Sequence, residues 1–291
     1  MLIGPDDLRR LHGVQLQLLK ELDRVCTQLG IAYQIGAGTL LGAIRHEGFI
    51  PWDDDADVIM RRADYELFLD QAPALLGELF FLQCWKSDRG FHQFFAKLRR
   101  NGSCFRQCGW RNDMHHGVFI DIFPFDPVRP EARIWRLRFR LLRRVLAVVS
   151  ALRRMATHER QGRLSSGHPS WRRALGPAVH RLLAAVPWRL WPALHDALLR
   201  SMGAAGSDRL VCLANGWLTL ERIRQLTRPA SEFEQTVWLP FEGQRLPATA
   251  AYASALTRLY GDYRTPPPPE RRIPSHPVEE FVLPLDGDWV L

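Results

Sequence analysis

The chain has 291 residues, 46% of them hydrophobic, and its 39 Lys and Arg against 31 Asp and Glu leave a formal net charge of +8. That length and apolar content exclude global disorder and allow one large domain or two small ones around a sizeable core. The surplus cations are nearly all arginine; they suit nucleic acid, an anionic membrane surface or phosphorylated substrates, and do not choose among them.

No stretch reaches the ~18 apolar residues that a membrane-spanning helix needs. The first ten residues, with Asp6, Asp7, Arg9 and Arg10, lack the pattern of a secretory signal. The five cysteines (Cys26, Cys84, Cys104, Cys108 and Cys212) are an odd count that fits reduced thiols. The expectation is a cytoplasmic protein, with the inner face of the membrane as a place it visits.

Pro5-Asp6-Asp7 predicts a helix start. Leu8, Leu11, Val14, Leu18, Leu19, Leu22 and Val25 then recur at helical spacing up to Gly30. Residues 31–35 read as a short buried strand, 36–39 as a glycine turn and 40–45 as a short helix. A second strand runs through Asp57-Val58-Ile59-Met60, and helical spacing returns over 65–76. Residues 80–85, 94–98 and 118–123 read as further strands. The composition shifts near Pro127 and Pro130. From 133 to 154 the spacing predicts a basic helix, with Ile134, Leu137, Leu141, Leu142, Val145, Val148, Val149 and Leu152 as an apolar stripe. That stripe is expected to pack on the catalytic part, with a membrane surface as the second reading and nucleic acid as a distant third. Residues 165–169 read as a loop, 171–202 as a second helical block broken near Pro187 and Pro192, 252–260 as a helix and 266–269 as extended. The fold class is α/β: a mixed sheet flanked by helices over 1–127, a basic helical insertion over 128–205, and a C-terminal part, 206–291, that completes the catalytic unit.

The chemistry concentrates in Asp53-Asp54-Asp55-Ala56-Asp57. Four carboxylates in five positions repel one another unless a cation or a set of donors sits among them. Strand alternation puts Asp53, Asp55 and Asp57 on one side, with Asp54 turned away and the least essential of the four. Three converging carboxylates suit a hard divalent cation such as Mg²⁺. Asp121, alone in the apolar run 117–124, needs a partner: the same metal, or an arginine. Gly36-Ala37-Gly38-Thr39 ends a strand and opens a helix, a geometry that can hold phosphate. Arg45 suits a phosphate or a salt bridge to Asp53 or Glu47. Trp52 reads as packing beneath the acidic turn, and Lys97 as facing either phosphate or solvent. The Cys104–Cys108 pair with His115 and His116 is too loose for zinc and reads as ordinary thiols.

The run 38–57, from Gly38 and Thr39 through Arg45 to Asp57, resembles the LicD family of phosphocholine transferases, which shares its acidic core with fukutin-type sugar-phosphate transferases. Residues 119–126 resemble the family's second block. Tyr260-Gly261-Asp262-Tyr263, followed by prolines, Arg272 and His276, resembles its C-terminal block. The resemblance implies a nucleotidyltransferase-like fold. It further implies transfer of a phospho-substituent from CDP-choline or a similar CDP-linked donor to a hydroxyl of a glycan or lipid-linked glycan, with CMP released. Asp53, Asp55, Asp57 and Asp121 would bind Mg²⁺, with Mn²⁺ as the substitute, and Asp53 or Asp121 would take the acceptor's proton. Gly38, Thr39, Arg45, Lys97, Tyr260, Asp262, Arg272 and His276 would contact substrate. A choline cation would need an aromatic cage, with Trp110, Tyr260, Tyr263 and Trp217 as candidates. The partners expected are donor, glycan acceptor and a peripheral membrane surface, and no nucleic acid.

Overall fold

The computed structural model describes residues 2–91, 93–110, 113–158, 190–214 and 219–284. Within it the chain divides into two compact units, residues 1–128 with 205–291, and residues 129–204. Helix α1 (Pro5–Leu29) opens the first unit and buries Leu8, Leu11, Val14, Leu18, Leu19, Leu22 and Val25, the stripe that its spacing predicts. Gly30 ends it at φ 65, a left-handed conformation that costs glycine little.

Strand β1 (Tyr33–Ile35) leads into α2 (Ala37–His46), β2 (Asp57–Arg61), α3 (Arg62–Gln71), β3 (Phe80–Gln83), β4 (Ala96–Arg100), β5 (Cys104–Gln107) and β6 (Phe119–Pro127). The sheet order is β1-β2-β6-β4-β3. The β2–β6 pair is parallel and the other pairs along this path are antiparallel. Both faces are covered: α1 and α3 pack against the sheet, and α2 packs on β2. A parallel pair in the middle of a sheet is buried on both sides. This is why Val58, Ile59 and Met60, like Ile120 and Ile122, are all enclosed.

In the second unit, α4 (Arg133–His158) is followed by α5 (Leu190–Arg200). The indole of Trp135 donates to the Met202 carbonyl at 2.9 Å and stacks on Phe139. Here the structure corrects the sequence reading. The packed face is Trp135, Phe139, Leu142 and Leu146, whereas Ile134, Leu137, Leu141, Val145 and Val148 stand exposed. The helix carries two apolar stripes, and the aromatic one takes the core. The loop expected at 165–169 and residues 171–189 of the second helical block lie outside the described residues.

The chain returns to the first unit as β7 (Arg209–Val211), α6 (Leu220–Leu226), β8 (Arg228–Pro229), α7 (Ser231–Glu234), β9 (Thr236–Phe241), β10 (Gln244–Thr249), α8 (Tyr252–Tyr260) and β11 (Val278–Val282). Strand β7 extends the sheet from the far end of β6. Strands β9 and β10 form a hairpin through Glu242 and Gly243, both at positive φ, as a two-residue turn of this kind requires. Strand β11 pairs with β5, so the end of the chain is sewn onto its middle.

Candidate active site at an acidic centre

Residues 53–56 have no regular secondary structure, and β2 begins only at Asp57. The expected strand alternation therefore does not apply to Asp53 and Asp55. Convergence is produced by the sheet instead. Asp57 and Asp121 are register partners across the parallel β2–β6 pair. The Asp121 amide donates to the Ala56 carbonyl at 2.8 Å, which fixes the loop just before the strand. Carboxylate oxygens of Asp55, Asp57 and Asp121 then lie within 4.8 Å of one another.

Such crowding shows in their electrostatics. Burial and the charges of Asp55 and Asp121 push the Asp57 carboxyl well above the usual range. Burial, with Asp121 adding to it, pushes Asp55 up to about 6. Burial and the charges of Asp55 and Asp54 push Asp53 up to about 8. Protons are thus drawn into a site with too little positive charge, which a divalent cation among three oxygen donors would supply. The donor set fits Mg²⁺ or Mn²⁺ in its chemistry.

Lys97 provides part of that positive charge. It stands opposite Asp121 in the antiparallel β4–β6 register, is 2% exposed, and its ammonium is ion-paired with Asp121. The same ammonium lies 3.4 Å from the Phe119 ring centroid, with Phe95 and Trp110 at 5.4 and 5.7 Å. Burial lowers its pKa, against the pull of Asp121. Of the two sequence readings for Lys97, solvent exposure is overturned. The partner of Asp121 among these side chains is this lysine and not an arginine.

Asp53 lies outside the group of three. Its Oδ1 accepts from the Asp54 amide at 3.2 Å, and its Oδ2 would sit 2.6 Å from a Cβ on Gly38. Only glycine lets α2 approach this closely. The glycine turn also serves the acids directly: Asp57's amide donates to the Thr39 hydroxyl at 2.7 Å, and the Gly38 amide hydrogen-bonds to the Asp57 carboxylate. Gly38 and Thr39 were expected to hold substrate phosphate; in the structure they brace Asp57.

Asp54 departs furthest from the sequence reading. It is fully buried, and it does not turn away from its neighbours: a carboxylate oxygen of Asp54 lies within 4.8 Å of one on Asp55 and of a ring nitrogen of His276. It accepts from the His276 amide and bonds to His276 Nδ1, both at 2.8 Å. Burial lowers the imidazole pKa, but the Asp54 bond and the charges of Asp55 and Asp54 outweigh it and raise it overall. His276 is thereby tied beside Asp55, at 3.9 Å. From the other side, α1 holds the loop backbone: His12 Nε2 bonds to the Asp53 carbonyl at 2.8 Å and Gln15 donates to the Asp54 carbonyl at 2.9 Å. Sequence reasoning missed both. The available signal was Gln15, a buried amide in the apolar stripe of α1. Glu242, at the hairpin turn, accepts from the Phe49 amide at 3.0 Å and steadies the segment leading into the loop.

The remaining expected residues divide. Arg45 faces the Arg272 charge, and burial together with that charge lowers its pKa. Its Nη2 is buried with no hydrogen-bond partner, so neither Asp53 nor Glu47 neutralises it. Arg272 lies 5.2 Å from the Trp52 ring, and Trp52 packs against the core as expected. Tyr260, at the end of α8, is close enough for burial and the charges of Asp57, Asp53 and Asp55 to raise its phenol pKa. Asp262 instead folds its own turn, accepting from the Thr265 hydroxyl at 2.6 Å and the Arg264 amide at 3.1 Å. Tyr263 is buried in the main core. Trp217 lies outside the described residues.

The family described as LicD/FKTN/FKRP, nucleotidyltransferase domain, matches residues 30–143. The lipopolysaccharide cholinephosphotransferase LicD of Haemophilus influenzae is 28% identical over 288 residues, covering 95% of this chain and 98% of that protein. Uncharacterized proteins of Rickettsia prowazekii and Rickettsia typhi are 47% and 48% identical over 55 and 48 residues, covering 19% and 16% of this chain and 20% and 16% of theirs. The domain match contains Asp53, Asp55, Asp57, Lys97 and Asp121, and the Haemophilus likeness runs nearly end to end: over residues 30–143 the chain is similar to the nucleotidyltransferase domain of the LicD family.

Proposed function

We propose that the protein moves phosphocholine from CDP-choline to a hydroxyl of a lipopolysaccharide or lipid-linked glycan, releasing CMP, with Mg²⁺ held by Asp55, Asp57 and Asp121. The observation that carries this reading is the convergence of those three carboxylates beside a single buried lysine. The end-to-end likeness to a lipopolysaccharide cholinephosphotransferase supports the cargo and the acceptor class. A bound divalent cation supplies charge neutralisation for the donor diphosphate.

The chain's own groups do the rest. Lys97 holds Asp121 in place and offsets its charge. The unneutralised Arg45 and Arg272 bind the donor's phosphate oxygens, guanidinium forks being suited to that geometry. Asp53 adjoins the three carboxylates without being one of them, and receives the acceptor's hydroxyl proton. His276, pinned by Asp54, orients the side of the site next to Asp55. Trp110, 5.7 Å from the Lys97 ammonium, and Tyr260, within reach of the charges of Asp57, Asp53 and Asp55, are the aromatic candidates for holding a quaternary ammonium.

Purified protein supplied with Mg²⁺, a glycan acceptor and separate CDP-choline, CDP-ethanolamine, CDP-glycerol and CDP-ribitol tests this. CMP release is expected with CDP-choline and well below it with the other three. A clear preference for another donor would keep the centre and change the cargo. No CMP from any of the four would overturn the reading.

A further inference from the structure

We propose that the exposed face of α4 is a docking surface for an anionic lipid membrane. Ile134, Leu137, Leu141, Val145 and Val148 are 75, 67, 62, 39 and 58% exposed. Their spacings of three and four residues place them within roughly 80° of arc, along about 20 Å of helix. A contiguous apolar stripe of that length in water marks an interaction surface.

Charge chooses the occupant. At 3.6 residues per turn, Arg138 flanks the stripe on one side and Arg133, Arg140 and Arg144 on the other. All four are exposed, and the helix has no acidic residue. An apolar stripe bordered by arginines is the pattern of a helix that lies in the headgroup region with its apolar side chains directed at the acyl chains. A second copy of the helix would bring arginines against arginines. A nucleic acid would lay its phosphates against the apolar centre of the face, the part least able to pair with them. The opposite face is already occupied by Trp135, Phe139, Leu142 and Leu146, so docking needs no unpacking of the helix. No helix among the described residues is long and apolar enough to cross a membrane, and the surface described here requires none.

Co-sedimentation of the full chain with vesicles tests this without reference to catalysis. Binding to phosphatidylglycerol–phosphatidylcholine vesicles is expected, at least ~10-fold stronger than to phosphatidylcholine alone and weakened by salt. Leu137→Glu/Leu141→Glu should reduce it ~10-fold or more, and Arg140→Glu/Arg144→Glu should remove the preference for anionic lipid. Circular dichroism and thermal melting should match wild type for both variants, since all four side chains are exposed. Three results would overturn the proposal: no binding of wild type to anionic vesicles, equal binding by the leucine variant, or a wild-type dimer by light scattering that the leucine variant converts to monomer. Salt-sensitive binding to single-stranded RNA, unchanged in the leucine variant and without vesicle binding, would assign the arginines to nucleic acid instead.

Discussion

Asp57 on β2 and Asp121 on β6 stand opposite each other across a parallel strand pair, and Asp55 brings a third carboxylate to within 4.8 Å of both. Without a cation this arrangement opposes folding. Asp57→Asn or Asp121→Asn should therefore reduce turnover by ~10³-fold or more, because positioning and charge neutralisation are most of phosphoryl-transfer catalysis. In chelator Asp57→Asn should melt higher than wild type, whereas Asp121→Asn, which leaves the buried Lys97 ammonium without its partner, should melt lower. Mg²⁺ should raise the wild-type melting temperature and leave Asp57→Asn unmoved. Calorimetric melts with and without Mg²⁺ check this.

Lys97 and Asp121 form a buried pair of opposite charges. Removing one partner of such a pair costs about 3–5 kcal/mol, while replacing both by apolar groups costs little. Lys97→Met should accordingly destabilise strongly, and Lys97→Met/Asp121→Leu should recover most of the loss. Urea unfolding of the four proteins in a double-mutant cycle measures the coupling. Additive losses would contradict the pairing.

Asp54→Ala should prove costly although Asp54 is not one of the three clustered carboxylates. It strands the His276 amide and imidazole, and orphaned buried groups cost about 1–3 kcal/mol. The segment 262–277 should become open to limited proteolysis, and turnover should fall with it. His276→Ala should give the same proteolytic pattern.

Arg45→Met and Arg272→Met should each raise the KM for the donor about 10–100-fold, the range expected for losing a charge-assisted phosphate contact. No carboxylate pairs with either guanidinium among the described residues, so thermal stability should hold or improve. Steady-state kinetics against donor concentration, beside a melt of each variant, separates the two effects.

His115 gives a pH prediction away from the acidic centre. Its Nδ1 accepts from the Gly117 amide at 3.0 Å and its Nε2 bonds to Asn101 Oδ1 at 2.9 Å, an arrangement for the neutral ring. Burial and the charge of Arg99 push its pKa down to about 4. The folded state then holds fewer protons than the unfolded state between pH ~6.5 and about 4. Stability is complete above the unfolded value and is lost as pH falls through that window. An NMR titration should find His115 neutral down to about pH 5; an ordinary midpoint near 6.5 would contradict it.

Local signals carried much of this protein in its sequence. The apolar period of α1 is legible because a helix stripe acts over a few residues, and the clustered acids with the lone Asp121 point to one centre because crowded or buried carboxylates need a partner, although the β2–β6 register and not strand alternation brings them together. What escaped depends on distance along the chain or on competition. Asp54 and His276 meet across 222 residues, and β5 pairs with β11 across a similar span, neither of which leaves a local mark. The Glu242-Gly243 turn lacks the Asn-Gly or Asp-Gly signal of a tight hairpin. In α4, two apolar stripes merge into one pattern, and only packing reveals that the aromatic one is buried.

The central claim is that Asp55, Asp57 and Asp121 form a metal-dependent transferase centre. Its most direct test is CMP release from CDP-choline by wild type and Asp121→Asn, each with Mg²⁺ and with excess EDTA. The account predicts release by wild type with Mg²⁺ alone, and background in the other three reactions. Undiminished release by wild type in EDTA, or by Asp121→Asn with Mg²⁺, would contradict it.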